Sequence, residues 1–214
     1  MTDHDLAARP AIAPGVSRAH DEDIGADERL AVRAAAGDRD AFGRLIDRYQ
    51  DRVYRFALVR LRCGSDAADV TQETLCRAWR SIGRFDPSRS FATWVLTIAR
   101  REVIEVVRRR KRVERDATRE RERQNAADDA VGRDGAVELG EVWALARRVL
   151  DDDAFELVWL CYAEDRTPAQ IARVVGVSGV AVRVRLHRAR KRIAEACAGA
   201  RTGQPEGGGA YGAA

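Results

Sequence analysis

Two short segments of this 214-residue chain concentrate the side chains that could bind a polyanion. Residues 100–112 carry seven basic side chains against two acidic ones, and residues 183–192 carry six basic side chains and no acidic one. Nearly all of them are arginines, whose planar guanidinium groups bind phosphates and guanine edges. We therefore predict two polyanion-binding surfaces. The alternative interpretation is that each segment is only a solvated helix face.

No set of residues typical of catalysis or metal binding accompanies these segments. Cys63, Cys76, Cys161 and Cys197 lie far apart without a CxxC pair, and the three histidines are scattered. The chain contains no GxGxxG, P-loop or HExxH motif and no recognisable nucleophile–base set. We therefore expect no catalytic residue, no metal site and no cofactor. Isolated cysteines also fit a reducing cytosol better than a disulfide framework.

The pattern of apolar residues argues against a membrane or secreted protein. No run approaches the roughly 18 apolar residues that a bilayer-spanning helix needs. The N-terminal MTDHDLAARPAIAPGV lacks the basic start and long apolar stretch of a secretory signal. Hydrophobic residues make up 45% of the chain and charged residues 34%, which is a globular balance. We expect a cytoplasmic protein without stable membrane insertion.

Composition divides the chain into two compact blocks and three segments that are poor in core residues. Residues 1–26 are predicted to be a disordered acidic arm. Residues 113–137 are predicted to be a flexible linker and residues 198–214 a disordered Gly-rich tail. The remaining residues form a first block, 27–112, and a second block, 138–197.

Both blocks are predicted to be helical, which makes the expected fold class all-α with two small helical domains. In the first block, apolar residues at i, i+3 and i+4 predict a long helix over residues 40–62 that Gly64 ends. Ser65 or Asp66 is predicted to cap the next helix, and Ser90 the helix that runs into the first basic segment. No period-2 alternation with hairpin turns occurs, so a sheet is not expected.

The sharpest local signal lies in the second block, at Thr167-Pro168-Ala169-Gln170. A threonine at the cap, a proline in the first helical position and a glutamine in the third predict a capping box. This short helix should stop near Gly176, and Ser178 should cap a final arginine-rich helix. A short helix, a tight glycine turn and a second helix form the helix-turn-helix pattern.

A recognition helix enters the major groove with its N-terminal residues near the base edges. The residues expected closest to DNA are Ser178, Gly179, Ala181, Arg183 and Arg185. Arg188 and the basic residues after it lie farther along and are expected to contact the phosphate backbone, unless they only solubilise the helix. In the first block, Phe91 and Trp94 precede the basic segment and could stack on unpaired bases. The alternative for both is packing in the core.

Three segments carry a family resemblance. Asp66–Thr74 (DAADVTQET), together with Arg77–Arg80 (RAWR), resembles the region 2 signature of bacterial sigma factors. Phe91–Arg100 (FATWVLTIAR) is similar to the segment that follows that signature. The pattern from Ser178 to Arg190 looks like the end of region 4. Two such matches in this order, without the middle domain, resemble the extracytoplasmic-function (ECF) subgroup.

The resemblance implies a transcription-initiation factor that binds core RNA polymerase, recognises promoter DNA and melts it, and performs no catalysis of its own. It implies a core-polymerase-binding surface formed by Asp66, Asp69, Gln72 and Glu73. It implies contacts to the promoter −10 element from Trp94, Arg100, Arg101 and Arg108. It implies contacts to the −35 element from Ser178, Ala181, Arg183, Arg185 and Arg188. It also implies an anti-sigma factor that covers the DNA-binding blocks.

The main alternative is a stand-alone helix-turn-helix regulator whose first block binds a ligand or dimerises. The face of Asp69, Gln72 and Glu73 discriminates the two, because polymerase docking requires it and a regulator does not. A helical adaptor that binds only protein is disfavoured by the two basic segments, and an enzyme by the missing motifs. A separate hypothesis is that the acidic N-terminal stretch, counted through Glu28, masks a basic helix.

Overall fold

The computed structural model describes residues 24–124 and 140–202, which form helices and connecting turns without a strand. The all-α prediction is therefore confirmed over these ranges. The eight α-helices are α1 (Ile24–Ala35), α2 (Arg39–Leu61), α3 (Gly64–Ser81), α4 (Phe91–Gln124), α5 (Glu141–Val149), α6 (Asp152–Tyr162), α7 (Pro168–Val175) and α8 (Gly179–Thr202). A short 3-10 helix, Ile82–Arg84, follows α3.

Helices α1 to α4 pack around the apolar stripe that the sequence predicts for the first long helix. Leu45, Val53 and Phe56 of α2 are at most 2% exposed, as are Phe91 and Val95 of α4, the helix that packs against α2. Burying side chains of this size stabilises the block by about 1.5–3 kcal/mol each, before the cost of ordering the chain. The rigid bundle fixes the outward faces of α3 and α4.

The junction between α2 and α3 differs from the prediction. Arg62 ends α2 in the left-handed conformation, with φ 54° and ψ 30°, and its amide donates to the carbonyl of Leu58. Gly64 does not end α2 but begins α3, and Cys63 in the cap position makes no side-chain capping bond. The chain therefore turns two residues earlier than glycine preference predicts. Asp66, expected as a cap, is used elsewhere.

In the second block, α5 to α8 enclose a smaller core. Trp143, Phe155 and Trp159 contact one another, with ring centroids 5.1 to 6.5 Å apart. Asp151 caps α6, since its side chain accepts from the amide of Ala154 at 2.7 Å. Ile171 of α7 and Leu186 of α8 are fully buried, which fixes the angle between these two helices.

The predicted helix-turn-helix is present in detail. Thr167 and Gln170 form the capping box: the amide of Gln170 donates to Thr167 Oγ1 at 3.3 Å, and the amide of Thr167 donates to Gln170 Oε1 at 2.9 Å. Gly176 ends α7 with φ 74°, a conformation that favours glycine. Ser178 caps α8, because its hydroxyl accepts from the amide of Ala181 at 3.2 Å.

The predicted arm, linker and tail lie largely outside the described residues. The described helices nevertheless extend into these segments. Helix α1 begins at Ile24, inside the predicted arm, and α4 continues to Gln124, inside the predicted linker. Helix α8 likewise continues to Thr202, inside the predicted tail. None of the described helices is long and apolar enough to cross a membrane.

Candidate polymerase and nucleic-acid interfaces

Helix α3 presents a polar face that is open to solvent. Asp69, Gln72 and Glu73 follow the i, i+3, i+4 spacing that aligns side chains along one side of a helix. Asp69 and Gln72 are exposed, and Glu73 accepts from Arg77 Nε at 2.6 Å. This hydrogen bond lowers the pKa of Glu73, which keeps the carboxylate ionised. The face is therefore acidic and amide-bearing, as a basic partner groove requires.

Asp66 belongs to a different contact. Its carboxylate accepts a hydrogen bond from Arg110 of α4, and Arg110 also donates to the carbonyl of Leu61 at 3.0 Å. These bonds join the start of α3 to the end of α2 through the first basic segment. Of the four residues in the implied core-binding set, Asp66 is thus occupied within the chain, while Asp69 and Gln72 are the exposed members.

Helix α4 carries a stripe in which aromatic and basic residues recur every seven positions. Trp94, Arg101 and Arg108 lie at i, i+7 and i+14 and therefore share one side of the helix. Arg101 is exposed, and Arg108 is exposed beside Glu105, 3.0 Å away. Trp94 is half-buried, with its ring centroid 5.5 Å from that of Phe85. The indole is held by packing while part of its surface stays accessible.

Arg100 lies off this stripe and points to the second block. Its Nε donates to Glu156 Oε1 of α6 at 2.8 Å. Glu156 is 5% exposed and also lies 3.8 Å from Arg60 of α2. Burial raises the pKa of the Glu156 carboxyl, and the two arginines oppose that rise. Of the four residues implied for the −10 element, Arg100 is the one that forms an ion pair with the second block within the described residues.

The Arg100 contact is one of several polar contacts between the two blocks. Arg52 of α2 donates to Glu164 at 2.6 Å, and both side chains are largely buried. Arg60 also pairs with Asp153 at 2.7 Å, on the exposed edge of this interface. Burial lowers the pKa of Arg52, but Glu164, Tyr49 and Asp27 together outweigh burial and raise that pKa. The blocks therefore meet through arginines of the first and carboxylates of the second, with α7 packed against α4.

Helix α8 separates a buried side from a basic side. Val182, Leu186 and Ala189 are at most 2% exposed and face the core of the second block. Ser178 is exposed, and its hydroxyl oxygen accepts the capping bond from the amide of Ala181, while Ala181 is half-buried. The three predicted arginines of this helix are all exposed: Arg183, Arg185 and Arg188. The guanidinium groups are thus available to phosphates and base edges.

Sequence reasoning missed α1 and the roles of two acids in it. Asp27, counted with the acidic N-terminal stretch through Glu28, accepts from Arg48 at 2.6 Å and from the Tyr49 hydroxyl at 2.5 Å. Burial, with the adjacent Asp27, raises the pKa of Tyr49 and keeps its proton in this bond. Glu28 accepts from the amide of Phe91 at 2.9 Å and so satisfies the N-terminus of α4.

These two contacts correct the masking hypothesis for the end of the acidic stretch. Asp27 and Glu28 stabilise the first block and do not cover a basic helix. The signal that could have found α1 is the spacing of Leu30, Ala31 and Ala34, all buried on one side of the helix. Within residues 24–124 and 140–202, no group of three or more metal-ligating side chains comes together.

Comparisons with known proteins match both blocks of the chain to one family. The family model described as Sigma-70 region 2 matches residues 45–113, and the one described as Sigma-70, region 4 matches residues 148–193. The ECF RNA polymerase sigma factor BldN of Streptomyces coelicolor is 35% identical over 179 residues, which span 82% of this chain and 67% of BldN.

Two further relatives extend the comparison. The RNA polymerase sigma factor CarQ of Myxococcus xanthus is 31% identical over 159 residues, or 74% of this chain and 90% of CarQ. The sigma factor CnrH of Cupriavidus metallidurans has been solved in complex with the cytosolic domain of CnrY. That structure aligns with a TM-score of 0.59 at 25% identity, and covers 81% of this chain and 98% of CnrH.

Proposed function

The chain belongs to the extracytoplasmic-function group of the sigma-70 family, and we propose which of its surfaces binds core RNA polymerase and which bind promoter DNA. The resemblance found in the sequence is thereby confirmed, and the stand-alone regulator is not favoured. The observation that carries the proposal is that one chain exposes both an acidic, amide-bearing face on α3 and a basic face on α8. A stand-alone regulator needs the basic face on α8 and does not need the acidic face on α3.

The α3 face is proposed to dock on core polymerase. Asp69 and Gln72 supply an exposed carboxylate and amide, and Glu73 lies beside them with its charge paired to Arg77. A basic groove on the polymerase would pair with these groups, and the mutual attraction steers association. Asp66 supports the same surface indirectly, since its bond to Arg110 fixes the first turn of α3.

The α4 stripe is proposed to hold the melted −10 element. Melting needs no bond-making chemistry from the protein, because contacts to an unpaired strand offset the cost of unstacking. Trp94 offers part of an aromatic ring for a base, and Arg101 and Arg108 offer charge for the backbone. Arg100 joins this surface once its ion pair with Glu156 opens.

The α8 face is proposed to bind the −35 element as duplex. Arg183 and Arg185 lie in the first two turns, where a recognition helix approaches the base edges, and Arg188 lies farther along. Ser178 and Ala181 contribute by position only, the first as the cap and the second as a small side chain that allows close approach. The two blocks are proposed to be residues 27–112, extended at the N-terminal side to Ile24 where α1 begins, and residues 138–197.

A partner that covers the DNA-binding blocks is also proposed. CnrH was solved with the cytosolic domain of CnrY, and an equivalent anti-sigma factor for this chain would compete for the surfaces on α4 and α8. We place the protein in the cytoplasm with the polymerase and assign it no catalytic activity.

The test is reconstituted transcription. Purified full-length chain is added to bacterial core polymerase on genomic DNA, and start sites are mapped. New start sites that share two upstream elements are expected. Core polymerase that neither binds the chain nor gains start sites would refute the proposal, and duplex binding without any core binding would favour the regulator.

A further inference from the structure

Helix α8 exposes two valines on the side opposite to its buried residues. Val180 is 62% exposed and Val184 is 44% exposed, whereas Val182 and Leu186 between and beyond them are fully buried. A spacing of four residues places Val180 and Val184 next to each other along one face of the helix. Together they form a small apolar surface within the first two turns of α8.

Local structure gives no reason for valine at these positions. Valine is a weaker helix former than most residues because branching at Cβ restricts its rotamers, and an exposed helix face gains nothing from an apolar side chain. The described residues contain only three other exposed large hydrophobic side chains, Val32, Trp79 and Val113, and each lies on a different helix. Among the described residues, α8 is thus the one helix with two exposed large hydrophobic side chains.

The neighbours of the valine pair are basic. Arg183 precedes Val184 directly, and His187, Arg188 and Lys191 lie on the same outward side one and two turns later. All four of these side chains are exposed. An apolar protein surface docked here would bury these basic side chains without an ionic partner. A DNA groove offers negative charge to the basic side chains and apolar atoms to the valines.

We propose that Val180 and Val184 read thymine in the −35 element through its 5-methyl group. This inference rests on the proposed −35 function of α8. The thymine methyl is the apolar feature of the major groove, and an apolar side chain is its natural contact. In this arrangement the flanking arginines hold phosphates or guanine edges and set the register, while the valine pair supplies the preference for thymine over cytosine at one or two positions.

Deoxyuridine isolates the proposed contact, because it keeps every hydrogen-bonding group of thymine and lacks only the methyl. A preferred duplex is first selected from a randomised library with the full-length chain. Each thymine of the selected element is then replaced singly by deoxyuridine. For the wild type, the replacement at one or two positions is expected to weaken binding about four-fold, the factor that corresponds to burying one methyl group.

The variant Val180→Ala/Val184→Ala should bind the thymine and deoxyuridine duplexes equally. Both valines are exposed and alanine favours helix, so the variant is expected to fold, which circular dichroism checks. Val32→Ala is the matched control, because Val32 is 45% exposed on α1 and should leave the four-fold difference unchanged.

Two results would overturn the inference, and they are distinguishable. A selected duplex whose binding is insensitive to every deoxyuridine, or equally sensitive in the double variant, overturns the role of the valines alone. A full-length chain that selects no duplex at all overturns the −35 function of α8, and the inference with it.

Discussion

Arg100 and Glu156 join the two blocks of the chain across 56 residues of sequence, with Arg100 Nε 2.8 Å from Glu156 Oε1. Arg100 belongs to the basic segment on α4, and Glu156 is a buried carboxylate on α6. One of the arginines expected at the −10 element is therefore held by the block expected to bind the −35 element.

The first prediction concerns the pH dependence of this contact. Burial raises the pKa of Glu156, so the folded protein holds this proton at pH values where the unfolded chain has lost it. As pH rises from about the ordinary glutamate value through the raised one, the group therefore removes stability. Glu156→Gln lacks this titration. The free energy of unfolding of the wild type, minus that of Glu156→Gln, is expected to fall over this pH range in urea titrations. A difference that rises with pH would contradict the assignment.

A second prediction concerns Arg52 and Glu164. Arg52→Ala leaves Glu164, which is 4% exposed, without its main charged partner. We expect the free energy of unfolding to drop by about 3–5 kcal/mol, as is typical when one member of a buried ion pair is removed. Urea denaturation at pH 7 measures it. Lys191→Ala removes a solvent-exposed partner of Glu195 and should change stability little. Equal effects of the two substitutions would show that Arg52 and Glu164 are not buried together.

The third prediction tests the α3 face. Asp69→Lys reverses one exposed charge of the proposed docking surface and should weaken binding to core polymerase at least ten-fold, because a basic groove would repel lysine. Fluorescence anisotropy with labelled full-length chain provides the measurement. Asp47→Lys makes the same charge change at an exposed position of α2 and serves as the control. If both variants bind equally, the α3 face does not dock on the polymerase.

The fourth prediction separates the arginines of α4. Arg101→Ala is expected to reduce the salt dependence of binding to a forked −10 fragment, with the slope of log K against log salt smaller by about 0.7 if one phosphate contact is lost. Arg44→Ala, an exposed arginine on α2, should leave the slope unchanged. The measurement uses holoenzyme at several salt concentrations. An unchanged slope for Arg101→Ala would remove this residue from the strand-binding surface.

The fifth prediction addresses the helix-turn-helix. Thr167→Ala removes the hydroxyl that accepts from the amide of Gln170 and should cost about 1 kcal/mol of stability. Thr167→Ser keeps the hydroxyl and should retain most of that stability. Thermal unfolding of both variants makes the comparison. A serine variant as unstable as the alanine variant would assign the effect to the lost methyl group.

Features encoded over a few residues were predictable from the sequence. The capping box at Thr167 and Gln170 and the caps at Asp151 and Ser178 depend on side chains that bond to backbone groups three positions away. The left-handed conformation of Gly176 depends on the missing side chain of glycine. At these positions the residue type alone predicts the local backbone geometry. The stripe of Trp94, Arg101 and Arg108 follows from helical periodicity in the same way.

Other features depend on distant residues and left no local trace. Arg100 pairs with Glu156, which lies in the other block of the chain. The sequence of an arginine run does not show which of its members face solvent and which pair with a distant carboxylate. Arg62 takes a left-handed conformation that residue type does not favour, so the sequence predicts the end of α2 at Gly64 instead. Helix α1 was missed because its buried side is built mostly from alanines, whose apolar signal is weak.

Carboxylates of the second block already pair with two arginines of the first. Asp153 and Glu156, one helical turn apart on α6, pair with Arg60 and Arg100 through the kind of oxygen acceptor that a phosphate also offers. Under the proposed −10 function, a strand that binds Arg100 must first break the ion pair with Glu156, and the cost of breaking it lowers the affinity of α4 for every strand regardless of sequence. Because Glu156 is 5% exposed, added salt screens this ion pair only weakly.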